Sequence, residues 1–375
     1  MTPFISGQQL SELYFYEAVA PILARVVPTV PNAAALVGTG SDVLGFDSER
    51  STDHHWGPRL TLFLAETDLP RAGPQIDEAL RRQLPHSIHG FATNFGPPDA
   101  IGVRLAVPSL SGTVTHLIEI TSVAAFARER LGVSVHALPS ARDWLLCSEQ
   151  SLLEVTAGVV FRDDLGELTR LRQSFAYYPR DLWRYRLAAQ WKRIAQQEAF
   201  VGRCGEVGDD LGSRLVAATL VRDLMRLCFL IDRRYAPYAK WLGVAFARLP
   251  SAPLLQPALA ATLAATDWPE RERWLVAAST AAAERHNALA ITPPLDPTPR
   301  PFHNRPFQVI DGERFARALQ ATIEDPVIRA LPADLGGIDQ WADSTDLLTN
   351  TTWRRQLATL YTTAATLSDA SFRRS

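Results

Sequence analysis

The feature that most constrains this chain is a change of pattern near residue 140. Before it, short apolar runs with strand spacing alternate with helical stretches. After it, nearly every segment repeats at helical spacing. One fold must therefore combine a sheet with helices in its first part and pack helices on helices in its second. The strand-like runs are Ala33–Val37, Arg59–Ala65, 102–107 and 113–121. Residues 8–28, 74–83 and 122–130 read as helices, the first stopped by Pro28 and Pro31. Beyond Arg142 the helical segments are 143–158, 164–176, 180–199, 207–233, 236–248, 252–264 and 268–288, with short ones at 313–323 and 351–367. Residues 292–306 carry so much proline that they read as a stiff, extended connection. The expected domains are 1–140, mixed α/β, and 141–375, helical with that connection inside it.

At 375 residues the chain exceeds what a single core usually fills, which agrees with two domains. Its formal net charge is −2, from 38 basic and 40 acidic residues. So even a balance argues against wrapping nucleic acid and leaves room for a local basic pocket. The three cysteines, Cys147, Cys204 and Cys228, have neither disulfide-framework nor zinc spacing and read as small buried apolar residues. Neither a signal peptide nor an apolar run of membrane-spanning length is evident, so a cytoplasmic protein is expected. Only Lys192 and Lys240 are lysine among the basic residues. In an arginine-rich background, a lysine points weakly to a use for a compact ammonium.

The chemistry concentrates in residues 38–59. The run Gly38-Thr39-Gly40-Ser41 follows a buried strand, and backbone N–H groups of such a turn can cradle a phosphate. Asp53 reads as the mouth of the next strand, where a carboxylate can hold Mg²⁺ together with substrate phosphates. Glu119, between Ile118 and Ile120, should point away from those neighbours on a later strand. Each alone has an ordinary explanation: a hairpin turn, a helix cap, a solvent-facing acid. Their order on successive strands is more specific.

These residues resemble the signature of the polymerase-beta-like nucleotidyltransferases: Gly-Ser, a spacer, then Asp-x-Asp or Asp-x-Glu, then a third acid on a later strand. The longer string GSDVLGFDSERSTDHHWGPRL is similar to a bacterial nucleotidyltransferase-like family of unknown function. The similarity continues through WRYRLAAQWKRIAQQEAFVGRCGEVGDDLGSR and RYAPYAKWLG and extends to HNAL and RPFQV. The resemblance implies an α/β (α+β) nucleotidyltransferase-like mixed sheet domain followed by an α-helical bundle domain. It implies transfer of a nucleotidyl group from a nucleoside triphosphate, taken as ATP, to a small-molecule or protein acceptor, with Mg²⁺ or Mn²⁺. Asp53 and Glu119 would be catalytic, Gly40 and Ser41 would hold the triphosphate, and Asp53, His55 and Glu119 would ligate metal.

One departure matters. The family pattern asks for a carboxylate two residues after Asp53, and this chain has His55. Imidazole is a poor partner for Mg²⁺, which prefers oxygen. Two readings therefore stand: an enzyme, or a nucleotide-binding or regulatory protein that has lost turnover. A third, a nucleic-acid-modifying enzyme, is opposed by the charge balance. On the helical side, Lys240 and Arg203 are the candidates for neutralising triphosphate charge. Lys192, Arg193, Glu206, Asp209 and Tyr238 are further polar candidates, with Arg203 and Glu206 expected in a loop punctuated by Gly202, Gly205 and Gly208. His286, Asn287, His303 and Arg305 flank the proline-rich stretch, and Asp343-Ser-Thr-Asp346 reads as a helix cap. The acceptor and the oligomeric state are left open by the sequence.

Overall fold

The computed structural model describes residues 3–53, 56–100 and 102–362, without the side chain of Asp53. The protein is mixed α/β and divides into two compact units. The first gathers Met1–Pro139 with Ser151–Ala176, and the second takes Ser140–Gln150 with Tyr177–Ser375. The sequence pattern alone assigns everything beyond 140 to the helical part. The difference comes from a strand it missed, Val159–Asp163, which completes the sheet of the first unit. Only five residues long and set between two helices, it offers too little alternation to stand out.

We number the sheet strands β1 (Asn32–Leu36), β2 (Arg59–Leu64), β3 (Leu117–Thr121) and β4 (Val159–Asp163). Their spatial order is β3-β2-β1-β4. β1 runs antiparallel to β2, with Asn32 opposite Leu64 and Ala35 opposite Thr61. β2 and β3 are parallel, with Arg59 beside Leu117 and Thr61 beside Glu119. β4 pairs antiparallel with β1, with a slip of register at Ala34/Ala35.

β1 is buried along its whole length, as is β2 after Arg59, so neither alternates apolar with polar. One face, carrying Leu60, Leu62, Leu64, Ala34, Leu36 and Ile118, joins a core with Leu10, Tyr14, Ile22, Ile76 and Leu80 from the preceding and following helices. The alternate residues Arg59, Thr61, Phe63 and Glu119 take the other face. There Phe63 meets Phe126 of helix Val123–Leu131 edge to face, ring centres 5.4 Å apart. The 102–107 run is not a strand; it contributes a lone bridge between Phe95 and Ala106.

The second unit is helical. Arg180–Gln197, Asp210–Ile231 and Trp268–Ala288 are its longest helices. Trp191 stacks on Phe315 with ring centres 4.5 Å apart, and the Trp183 indole donates to the Leu230 carbonyl at 2.7 Å. Glu149 is a buried acid with a full set of partners: Arg186 Nη2 at 2.8 Å, the Ala236 N–H at 3.0 Å and the Tyr178 hydroxyl at 3.3 Å. Such a buried charge is tolerable only because it is paired and hydrogen-bonded. Ser344 caps the helix Thr345–Thr349, as its sequence suggested. Among the described residues no helix is long and apolar enough to cross a membrane.

Candidate functional site

The Gly38–Ser41 turn leaves the end of β1 beside the start of β2, and it is held from several sides. The Gly38 N–H donates to the Glu154 carbonyl at 2.7 Å, and the Phe46 N–H to the Ser41 carbonyl at 2.8 Å. The Gln8 side chain donates to the carbonyls of Asp42 and Val43, at 3.1 and 3.2 Å. Asp47 accepts from the Gly7 N–H at 2.7 Å and the Trp56 indole at 3.0 Å. The turn is therefore positioned before any ligand arrives.

At its centre is an ion pair that the sequence did not announce. Arg59 Nε donates to Asp42 Oδ2 at 3.0 Å and Nη2 to Oδ1 at 2.6 Å. The same Nη2 donates to the Thr39 carbonyl at 2.7 Å. Gly40 has φ +136°, and a Cβ there would collide with Asp42 Oδ1 and Arg59 Nη2, so glycine is required on both counts. Among the described residues the backbone N–H groups of Gly40 and Ser41 have no acceptor, and both residues meet solvent.

Glu119 lies on the Arg59 face of the sheet, opposite to its buried neighbour Ile118, as the alternation implied. The residue is exposed, yet its carboxyl is close enough to the sheet for burial to raise its pKa. The positive charges of Arg130 and Arg59 act in the opposite sense. Arg130 comes from helix Val123–Leu131 and sits 3.7 Å from Glu154 Oε2. A Cβ on Gly38 would lie 3.8 Å from its Nη2, so the guanidinium borders the turn. Two arginines thus border the turn, and the charge of both acts on Glu119.

Asp53 is not a strand residue. It ends a single turn of 3₁₀ helix, Glu49–Asp53, and β2 begins only at Arg59. His55 and His54 lie outside the described residues, as does the Asp53 carboxylate. Among the described residues no group of three His, Cys, Asp or Glu side chains is placed to hold a metal ion. Asp42, the carboxylate nearest the turn, is already taken up by Arg59. Glu119 is thus one oxygen donor of the expected set. It does not by itself make the carboxylate cluster that bridges two metals.

The helical candidates behave differently from expectation. Arg203 and Glu206 are on the helix Phe200–Glu206, not in a loop. Gly202 and Gly205 serve packing rather than ligand approach: a Cβ on either would strike the Phe307 or the Trp268 ring. Arg203 is exposed, its guanidinium 5.5 Å from the centre of the Phe200 ring. Lys240 is exposed on helix Ala239–Phe246 with its ammonium 5.0 Å from the Trp241 ring. Lys192 pairs with Glu313 at 2.6 Å, on the wall of a cavity of about 450 Å³ shared with Glu198, Arg300 and His303. Glu198 accepts the N–H groups of Ile310, Asp311 and Gly312, and burial pushes its pKa up to about 7. His286 is buried: the Trp191 indole donates to its Nδ1 at 3.2 Å, and Nε2 meets the Thr292 hydroxyl at 3.2 Å. It is a packed core histidine. Asn287 pins the start of the proline-rich stretch through two bonds to the Leu295 backbone, at 2.6 and 3.0 Å.

Sequence reasoning missed Arg59, Asp42 and Arg130. A signal for the first pair was present: an arginine opening an otherwise apolar strand, and an aspartate directly after Gly40-Ser41.

Residues 144–242 match a family described as Domain of unknown function (DUF4037). That span contains Arg203 and Lys240 but neither the glycine turn nor Glu119. No curated protein matches the chain. Among solved structures, the nucleotidyltransferase-like protein from Exiguobacterium sibiricum 255-15 is similar over 76% of this chain and 82% of its own, at 10% identity and a TM-score of 0.32. A likeness so distant carries no argument about the site.

Proposed function

We propose that the first unit is a nucleotidyltransferase-like nucleotide site. The reading rests on one arrangement: the open N–H groups of Gly40 and Ser41 sit beside Arg59, on whose face of the sheet Glu119 also lies. In this reading the two N–H groups and the neighbouring arginines receive the phosphates of a nucleoside triphosphate such as ATP. Glu119 and Asp53, with His55, would hold Mg²⁺ or Mn²⁺, which neutralises phosphate charge when bound. What the chain contributes is positioning: a turn fixed by Arg59, Phe46 and the Glu154 carbonyl spends little free energy on reorganisation when a charged ligand binds. In the second unit, the exposed cations Lys240 and Arg203 are the residues proposed to meet negative charge on a ligand.

A second reading, a nucleotide-binding or regulatory protein without turnover, is favoured by a specific observation. Arg59 holds Asp42, the acid directly after the turn, and His55 stands where the family pattern asks for a carboxylate. Nucleotide turnover of the wild type and His55→Asp with Mg²⁺, Mn²⁺ and Zn²⁺ separates the two. Mg²⁺-dependent turnover that rises in His55→Asp supports the enzyme, because it restores an oxygen ligand. Saturable nucleotide binding with no turnover in either protein supports the second reading.

A further inference from the structure

The first unit carries a separate cavity of about 640 Å³ at the other end of β2. Its lining includes Ala65 and Thr67, which follow β2, and Val123 and Ala124, which follow β3. This is the carboxyl end of the parallel strand pair, the place where open α/β sheets commonly bind ligands. The six residues of β2 put it roughly 20 Å from the glycine turn. The size is that of a small-molecule pocket.

The wall is largely apolar, with Val135, Leu138, Leu171 and Phe175 prominent. Leu138 is 94% exposed and Val135 37% exposed, so apolar surface at the rim is left for a ligand to cover. The charged groups do not balance. Glu66 and Glu167 are acidic and Arg170 is basic. Glu66 has His136 as its partner at 3.5 Å, an ion pair only when that imidazole is protonated. Among the described residues Glu167 has no ion-pair or hydrogen-bonding partner for its carboxylate. Arg170, on the same helix as Glu167, donates to the Leu165 carbonyl at 3.3 Å instead. With His136 neutral the lining is net negative by one charge. An anionic ligand would face two carboxylates against one guanidinium, and a cation would meet the reverse.

The geometry points to a binding site for a small apolar molecule that carries a protonated amine, its apolar body against Leu171 and Phe175 and its ammonium toward Glu167 and Glu66. This site is independent of nucleotide, so its test does not depend on the function proposed above. Calorimetric titration of the full chain with 2-phenylethylammonium at neutral pH provides that test, with phenylacetate and 2-phenylethanol as charge-altered matches. Two variants are compared: Glu167→Gln, and Ala137→Trp, which places a large ring into the cavity from an exposed lining position. Thermal melts confirm that both fold. Saturable 1:1 binding of the amine, tighter than that of the acid, is expected. Glu167→Gln should weaken the amine about threefold to fivefold, the range of a solvent-accessible ion pair, and leave the alcohol unchanged. Ala137→Trp should abolish binding of both. No saturable amine binding, equal affinity for amine and acid, or undiminished binding to Ala137→Trp would overturn the proposal.

Discussion

Arg59 grips Asp42 with two parallel hydrogen bonds, 3.0 and 2.6 Å long, and ties the pair to the glycine turn through the Thr39 carbonyl. The Asp42 side chain is 3% exposed and that of Arg59 15%, so neither charge is well hydrated without the other. Asp42→Asn should therefore destabilise the protein by roughly 2–3 kcal/mol, somewhat less than breaking a fully buried pair. Arg59→Lys should also cost stability, since an ammonium cannot reproduce the fork. Urea unfolding at neutral pH measures both. A change below about 0.5 kcal/mol in Asp42→Asn would mean the pair behaves as an ordinary surface contact.

Gly205 is held against Trp268 so closely that a Cβ would overlap the indole. Alanine is the better helix former by about 1 kcal/mol, so propensity alone predicts that Gly205→Ala stabilises. Overpacking should win, and the variant should lose roughly 1–3 kcal/mol. A raised melting temperature would show that Trp268 yields easily.

Burial holds His286 at a pKa of about 4, below its ordinary 6.5. A histidine depressed on folding contributes stability that is complete above the unfolded value and lost as pH falls toward the folded one. Wild type should therefore lose roughly 3 kcal/mol from this group between pH 6.5 and 4. His286→Gln should lack that part of the acid sensitivity, whatever its stability at pH 7. Urea unfolding of both proteins at pH 7 and pH 4.5 is the check. Parallel losses would place the acid sensitivity elsewhere.

The legible parts of the fold were those with strong period or strong punctuation. Long helices such as Asp210–Ile231 repeat over several turns, and β1 and β2 stand out as apolar runs. β4 did not, because five residues between helices carry no periodic signal. In the site, Glu119 was legible because it interrupts two isoleucines, and alternation fixes its face. Asp53 was misplaced because Glu49–Asp53 forms a 3₁₀ turn, which the sequence does not distinguish by any alternating pattern from the mouth of a strand. Arg59 and Asp42 escaped because they are 17 positions apart and meet only through the antiparallel fold of β1 on β2. Gly202 and Gly205 looked like loop punctuation because a glycine needed for helix contact has the same letter as one needed for a turn.

The central claim is that the turn at Gly40–Ser41 and the carboxylate of Glu119 form one nucleotide site. Titration of a fluorescent ATP analogue into wild type and Glu119→Gln, with and without Mg²⁺, tests it most directly. Glu119 is exposed, so its replacement leaves the fold in place. Saturable binding that needs Mg²⁺ in the wild type and weakens about tenfold or more in Glu119→Gln is the predicted result, as expected for removing a carboxylate ligand of the ion. Absence of nucleotide binding, or equal Mg²⁺-dependent affinity in both proteins, would contradict it.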